Sequence, residues 1–264
     1  DDVPLDGTTL LFSALPHGAS AAWVERAAAH GALTVDLSAD LRPGNGGALD
    51  VPYGLTEAAR ADLAGAEVVA NPGCYPTAIL LALLPLAEGG LVAPGATITV
   101  SAASGVTGAG FSPKPELLFG EVTENYRPYA VGNIHRHLAE MRVTLARWGA
   151  DADLVFTPHL LPVARGILAT ITVPLARPLD DPAALWRARF AGEPFIEIRD
   201  ELPALRDVVH RNVVRIAVRP LEGVRQPTLL VMAAIDNLVK GAAGQALQNA
   251  NILLGLEETA GLPR

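Results

Sequence analysis

The sequence predicts an α/β protein in two unequal parts: a parallel, doubly wound unit first, then an α+β unit with a mixed or antiparallel sheet. Three observations carry this reading. Through the first third, short apolar runs alternate with helical segments, as in parallel βαβ units. Beyond Asn71, strands follow one another with few crossover helices. Residues 242–254 form an amphipathic helix that can pack back on the first unit.

In chain order, residues 8–15 (TTLLFSAL) read as a buried strand. Residues 19–30 read as a helix, with Ser20 and Gly31 near its ends. A second strand, 33–37, leads into a polar, glycine-rich loop over 38–49. A short helix, 56–63, is expected to be capped by Thr56. A third strand covers 66–70, and a helix covers 75–88. The strand 96–103 precedes a long irregular stretch, 104–133, and a helix over 135–148. Strands are then expected at 153–157, 166–174, 195–198, 208–218 and 228–235, with a helix at 182–191. The boundaries follow: residues 1–72 are the second half of a nucleotide-binding domain, 73–240 a catalytic and substrate domain, and 241–264 a terminal helix.

Composition narrows the function. Half of the 264 residues are hydrophobic and only 18% are charged, which suits a large core and not a disordered chain. A net charge of -8 argues against nucleic acid or an anionic membrane as partner. The most apolar stretch, 77–87, is too short to span a bilayer and holds Pro85. The single cysteine excludes an intramolecular disulfide and a multi-cysteine metal site, and no metal is expected. A reducing cytoplasm is the simplest compartment.

That cysteine sits in the most informative segment, Val68-Val-Ala-Asn-Pro-Gly-Cys-Tyr-Pro-Thr77. A strand ends at Ala70, Pro72-Gly73 makes a sharp turn, and a helix begins just after Cys74, with Pro76 in its first turn. Unpaired N–H groups and the positive end of the helix dipole favour thiolate there, and a thiolate attacks electrophilic carbonyls. Taken by itself, Cys74 reads equally well as a small buried hydrophobe. A second constellation is Ile134-His-Arg-His-Leu-Ala-Glu140. His137 and Glu140 are three apart, so on a helix they share a face and Glu140 can orient the imidazole. His135 is expected to point elsewhere, which favours His137 for acid–base work. An ordinary helix start with exposed polar groups is the other reading. His159 reads as a satisfied core histidine or a pocket residue.

Asn71-Pro-Gly-Cys-Tyr-Pro-Thr77 resembles the signature of N-acetyl-γ-glutamyl-phosphate reductases and of relatives that reduce a carrier-bound aminoadipate phosphate in lysine biosynthesis. The resemblance covers nearly the whole chain. Leu15-Pro-His-Gly18, Asp36-Leu-Ser-Ala-Asp-Leu-Arg42 and Tyr53-Gly-Leu55 are similar to the family's first domain. Residues 101–110, 135–140 and 156–166 are similar to its substrate domain, and Ile235-Asp-Asn237 through Asn249 to its C-terminal signature. The resemblance implies a Rossmann domain joined to a glyceraldehyde-3-phosphate-dehydrogenase-like α+β catalytic domain, acting in arginine biosynthesis with NADP. It implies Cys74 as nucleophile, with His137 as acid–base, His135 in reserve and Glu140 beside them. Ser104, Gly105 and Thr107 would meet substrate. Leu15, Pro16, Gly105, Gly108 and Asn237 would meet cofactor, Asn237 at the nicotinamide. The substrate is a small acyl-phosphate, and a dimer or tetramer is expected.

Arg136 and Arg165 are candidate anion contacts, or surface arginines. Three departures stand out. Phe111 replaces a basic residue, Ala139 replaces a proline, and no glycine-rich turn precedes Thr8. The last suggests that the opening half of the nucleotide domain is absent. The rivals are a Cys–His hydrolase or acyltransferase and a truncated, non-catalytic fold-mate.

Overall fold

The computed structural model describes residues 3–46, 50–110 and 114–264. Its first sheet is β1 (Leu10–Ser13), β2 (Leu33–Asp36) and β3 (Val68–Ala70), all parallel and in that order. The crossovers carry α1 (Ser20–Ala29) and α2 (Thr56–Leu63). Strands this short and apolar need cover on both faces. Val24 and Ala27 of α1 supply one, in small clusters with Ala70 and Ala32. Ala246 and Ala250 of the last helix, α7 (Gly244–Leu253), pack on Val35 and supply the other.

The chain then enters α3 (Cys74–Glu88), whose residues from Tyr75 to Ala87 are all buried. A helix apolar all round must lie inside. It packs against α5 (His137–Arg147) and one face of a seven-stranded sheet. That sheet contains β4 (Ala96–Gly105), β5 (Arg127–Pro128), β6 (Ala152–Leu161), β7 (Ile167–Pro174), β8 (Ile196–Ile198), β9 (Val214–Pro220) and β10 (Thr228–Ile235). Their order is β5-β6-β4-β7-β10-β9-β8. The β4–β6 and β8–β9 pairs are parallel and the others antiparallel, so the expected mixed sheet is present. The helix α6 (Pro182–Arg189) completes the covered face, where Trp186 donates its indole N–H to Ala82 O at 2.9 Å.

On the opposite face the strands alternate outward: Thr97, Thr99, Ser101, Asp153, Val155 and Thr170 are exposed. Val155 is 40% exposed although it lies mid-strand. No helix of the described residues is long and apolar enough to cross a membrane.

Three expectations need correction. Thr56 does not cap its helix: Leu55 holds the N-cap position, and the Thr56 hydroxyl donates to Asn249 Oδ1 at 2.7 Å. The stretch 208–213 is not strand. It is a loop that follows a 3-10 turn (Leu205–Asp207) and buries Val208, Asn212 and Val213, with His210 at φ 69° and its N–H on Asp236. Val208 and Val213 pack on Ala234, so their apolarity serves burial of a loop. The irregular stretch 104–133 contains β5, a single helical turn α4 (Phe119–Val122) and two 3-10 turns.

Leu83→Ala, in the fully buried centre of α3, should destabilise the protein by about 2–5 kcal/mol. Urea unfolding should show a lower midpoint at unchanged m.

Candidate active site

The strand–turn–helix at Cys74 forms as the residues require. Gly73 occupies the N-cap and Cys74 is the first helical residue, with Thr77 N–H on Gly73 O at 2.9 Å. Asn71 sets the turn. Its N–H donates to Asp36 O at 2.8 Å, and its side chain accepts from Asn249 Nδ2 at 3.0 Å and donates to Ala242 O at 3.3 Å. The half-buried thiol opens on a cavity of about 190 Å³. Its walls include Arg42, Asn71, Cys74, Gly108, His137 and Asn237.

His137 and Cys74 therefore share one cavity, as expected. Glu140 does not do what was expected of it. Its Oε1 accepts the Gly73 N–H at 2.9 Å and the Tyr53 hydroxyl at 2.6 Å, and its Oε2 faces Arg42 at 3.7 Å. The His137 Nδ1 has no partner among the described residues. Glu140 therefore anchors the turn before Cys74 and leaves the imidazole to packing. The fit there is tight: a Cβ at Gly73 would lie 2.6 Å from His137 Nε2.

His135 faces a different cavity from His137, as its spacing suggested, but it stays beside it. Its ring lies 4.9 Å from that of His137, edge-on to Tyr75, Tyr129 and Phe156, and its Nδ1 accepts the His137 N–H. It fronts a second cavity of about 420 Å³, with Ser104, Gly105, Lys114, Arg127 and Tyr129. Gly108 and Arg136 line both cavities. Arg136 has no hydrogen-bond or ionic partner among the described residues, so its guanidinium is available to an anion. The Tyr129 hydroxyl donates to that of Tyr75 at 3.0 Å.

The charge states are set mainly by burial. Burial pushes the Cys74 thiol up from its ordinary value. The Tyr75 N–H and the Arg42 and Arg136 guanidiniums oppose this, and Glu140 adds to it. The expectation of a thiol below its ordinary pKa is therefore corrected for the ligand-free cavity, because desolvation outweighs the helix terminus. Burial, then Arg42, His135 and Arg136, holds His137 well below its ordinary value, so it is a neutral base at physiological pH. His135 is lowered to about 4 by burial and Arg136. Tyr129 is pushed up to about 12, chiefly by burial.

Other predicted positions are only partly drawn in. Thr107 lines the first cavity, where it accepts from Asn237 Nδ2 at 2.9 Å, while Asn237 Oδ1 accepts the Gly166 N–H at 2.7 Å. The Asn237 amide is thus committed to holding loops. Gly105 is glycine because a Cβ would meet Ala164 O and Arg165 N at 2.8 Å. Arg165 lies 3.6 Å from Asp236 and lines neither cavity. Leu15 and Pro16 are exposed after β1 and line neither. His159 stacks on Tyr126 with Nδ1 unpartnered, so it is neither a cavity residue nor a satisfied core histidine. Phe111 lies outside the described residues. Arg42, Tyr53, Asn71, Tyr75 and Tyr129 were not singled out; only the motifs around them hinted at their roles.

A dinucleotide fits this chain in part. The thiol cavity lies at the carboxyl ends of the parallel strands, the usual place for a ligand in such sheets. The N-terminus of α1 is taken: Asp40 accepts the Gly18 and Ser20 N–H groups at 2.8 and 3.0 Å. The described residues thus offer a place for the nicotinamide end, while this helix terminus offers none for a pyrophosphate.

Comparison with known proteins gives two matched families. The NAD binding domain of semialdehyde dehydrogenase matches residues 1–66, and its dimerisation domain matches residues 74–237. The N-acetyl-gamma-glutamyl-phosphate reductase of Halorhodospira halophila is 49% identical over 80% of this chain. The chain spans 61% of the length of that relative. Proteins of the same name from Geobacter sp. and Desulforudis audaxviator are 40% and 42% identical, with 96% and 99% of this chain and 78% and 81% of theirs covered. Aspartate semialdehyde dehydrogenase II of Vibrio cholerae has the same fold, with a TM-score of 0.77 at 20% identity over 96% of this chain and 82% of that one.

Gly73→Ala should force the His137 ring aside, at a cost of about 1–3 kcal/mol. Slower alkylation of Cys74 with unchanged far-UV circular dichroism is the expected readout.

Proposed function

The chain belongs to the N-acetyl-gamma-glutamyl-phosphate reductase family of semialdehyde dehydrogenases, and on that footing we propose that it reduces N-acetyl-γ-glutamyl phosphate to the semialdehyde through a thioester on Cys74. One observation supports this most. The only cysteine begins α3 inside a cavity that it shares with a neutral imidazole, His137, at the carboxyl end of a parallel sheet.

The roles follow from protonation and access. Neutral His137 accepts the thiol proton as sulfur attacks the acyl carbonyl. The C–S bond forms, the bond to the phosphate oxygen breaks, and phosphate leaves with the electron pair and that proton. Negative charge on the carbonyl oxygen develops at the start of α3, where backbone N–H groups and the helix dipole oppose it. When bound, a nicotinamide supplies the hydride that converts the thioester to the thiohemiacetal anion. Collapse returns the electron pair to the Cys74 sulfur and frees the aldehyde. Arg136, between the two cavities, is the substrate's anion contact in this reading. Ser104, Lys114, Arg127 and His135 line the space for the substrate's polar tail. A nicotinamide cofactor follows from the family. NADP specifically is proposed, as is a reducing cytoplasm in keeping with the single free thiol.

The family's second domain is described as a dimerisation domain. Here the outward face of the seven-stranded sheet, with Thr99, Ser101, Val155 and Thr170 exposed, is the surface we propose for a second copy.

Two tests apply. The protein should form reduced nicotinamide from the semialdehyde only when phosphate or arsenate is present. Cys74→Ser should lower turnover by about a thousandfold or more; retained activity would refute the covalent route. Val155→Arg should shift sedimentation to the monomer mass if that face carries the dimer.

A further inference from the structure

Arg42 is a buried arginine held by two backbone carbonyls and by a loose ion pair with Glu140. Its Nε donates to Asn71 O at 2.8 Å and one terminal nitrogen donates to Leu37 O at 2.7 Å. These carbonyls close the ends of β3 and β2, beside the turn that launches Cys74. The other terminal nitrogen faces Glu140 Oε2 at 3.7 Å, beyond hydrogen-bonding distance. Arg42 also lines the thiol cavity. A fork rigidly held on two carbonyls is pre-organised in a way a lysine is not.

We propose that Arg42 is a positioning residue for Cys74: it pins the two strand ends under the catalytic turn and supplies the fixed positive charge that makes the thiolate the working form. The inference deepens the reductase reading and rests on Cys74 being the nucleophile. The other groups around the thiol do not replace Arg42. Glu140 opposes ionisation of the thiol, and His137 and His135 are neutral. The Tyr75 and Tyr129 hydroxyls are held protonated by burial. Arg136 is the one other cation facing the sulfur, and in the working enzyme its charge is shared with the substrate anion. Arg42 is held by protein carbonyls, so its field on the sulfur persists when substrate binds.

The test uses the single cysteine: every alkylation event reports on Cys74. Iodoacetamide labelling of the folded protein, without substrate or cofactor, is followed from pH 5 to 10. Arg42→Met should raise the labelling midpoint by about one pH unit, which is about tenfold in rate below it. Arg42→Lys should restore most of that shift. Because Arg42→Met also loosens two strand ends, Glu140→Gln gives an independent arm. It keeps an oxygen for Gly73 and Tyr53 but removes the opposing charge, so its midpoint should move down. Unchanged midpoints in both Arg42→Met and Glu140→Gln would overturn the inference. So would an Arg42→Met variant with a wild-type midpoint and only a raised KM for phosphate, the mark of a substrate anchor. Neither result touches the reductase reading, which stands or falls on turnover by Cys74→Ser.

Discussion

The turn between β3 and α3 has to deliver a sulfur to one place, and a single carboxylate does most of the holding. Glu140 takes the N–H of Gly73, the residue before the nucleophile, and the hydroxyl of Tyr53 from the other side. Without that acceptor, a buried N–H at the helix entrance would lack a partner, at a cost of about 1–3 kcal/mol. The turn would then seek another geometry. Because Glu140 rides on α5, and His137 is the first residue of the same helix, turn and imidazole are set by one rigid element. The tight fit of Gly73 against His137 follows from the same arrangement, and it is why the residue before the cysteine has no side chain.

Burial then determines the electrostatics. A cavity dry enough to keep His137 neutral also disfavours the thiolate, so the two requirements of the chemistry conflict. A neutral base is useful because it can accept a proton. A protonated thiol is not useful until something offsets desolvation. Two arginines and the start of α3 are what the fold provides. Their positive charge acts in the right sense on both groups, since it favours the thiolate and disfavours the imidazolium.

Much of this was legible in the chain. The βαβ alternation and the strand–turn–helix around Cys74 follow from period and turn chemistry, and both are present in the fold. His137 shares a cavity with Cys74, whereas Glu140 bonds Gly73 and Tyr53 and not the imidazole. Helical spacing places two side chains on one face without saying which groups from elsewhere arrive there first. Here Tyr53 and Gly73, distant in sequence, claim the carboxylate. Arg42 escaped notice because an arginine within a polar loop looks like a solvated one; only the convergence of two strand ends shows that it is buried. The 208–213 loop was misjudged for a related reason: valines buried around Asp236 carry the same composition as a strand.

The C-terminal helix and the π-turn before it meet the first unit through polar groups, and that choice has a physical consequence. Asn249 donates to Gly54 O and Asn71 Oδ1 and accepts from Thr56. Gln245 bonds Gly54 O and Thr56, while fully buried Lys240 meets Glu57 at 2.6 Å and Gln248 at 2.7 Å. An apolar seam of the same size would tolerate sliding, since hydrophobic contact is non-directional. The amide nitrogens of Gln245, Gln248 and Asn249 each have particular acceptors, and a shifted register would strand several of them at once. The seam ends on Asn71, one residue before the Pro72-Gly73 turn, and on the Val239–Ala243 π-turn whose Gly241 and Ala242 line the thiol cavity. Helix α7 therefore does more than cover the first sheet. Through Asn249 it ties Asn71, at the carboxyl end of β3, to the turn that carries Cys74, so a ligand at the ends of the parallel strands lies beside the sulfur.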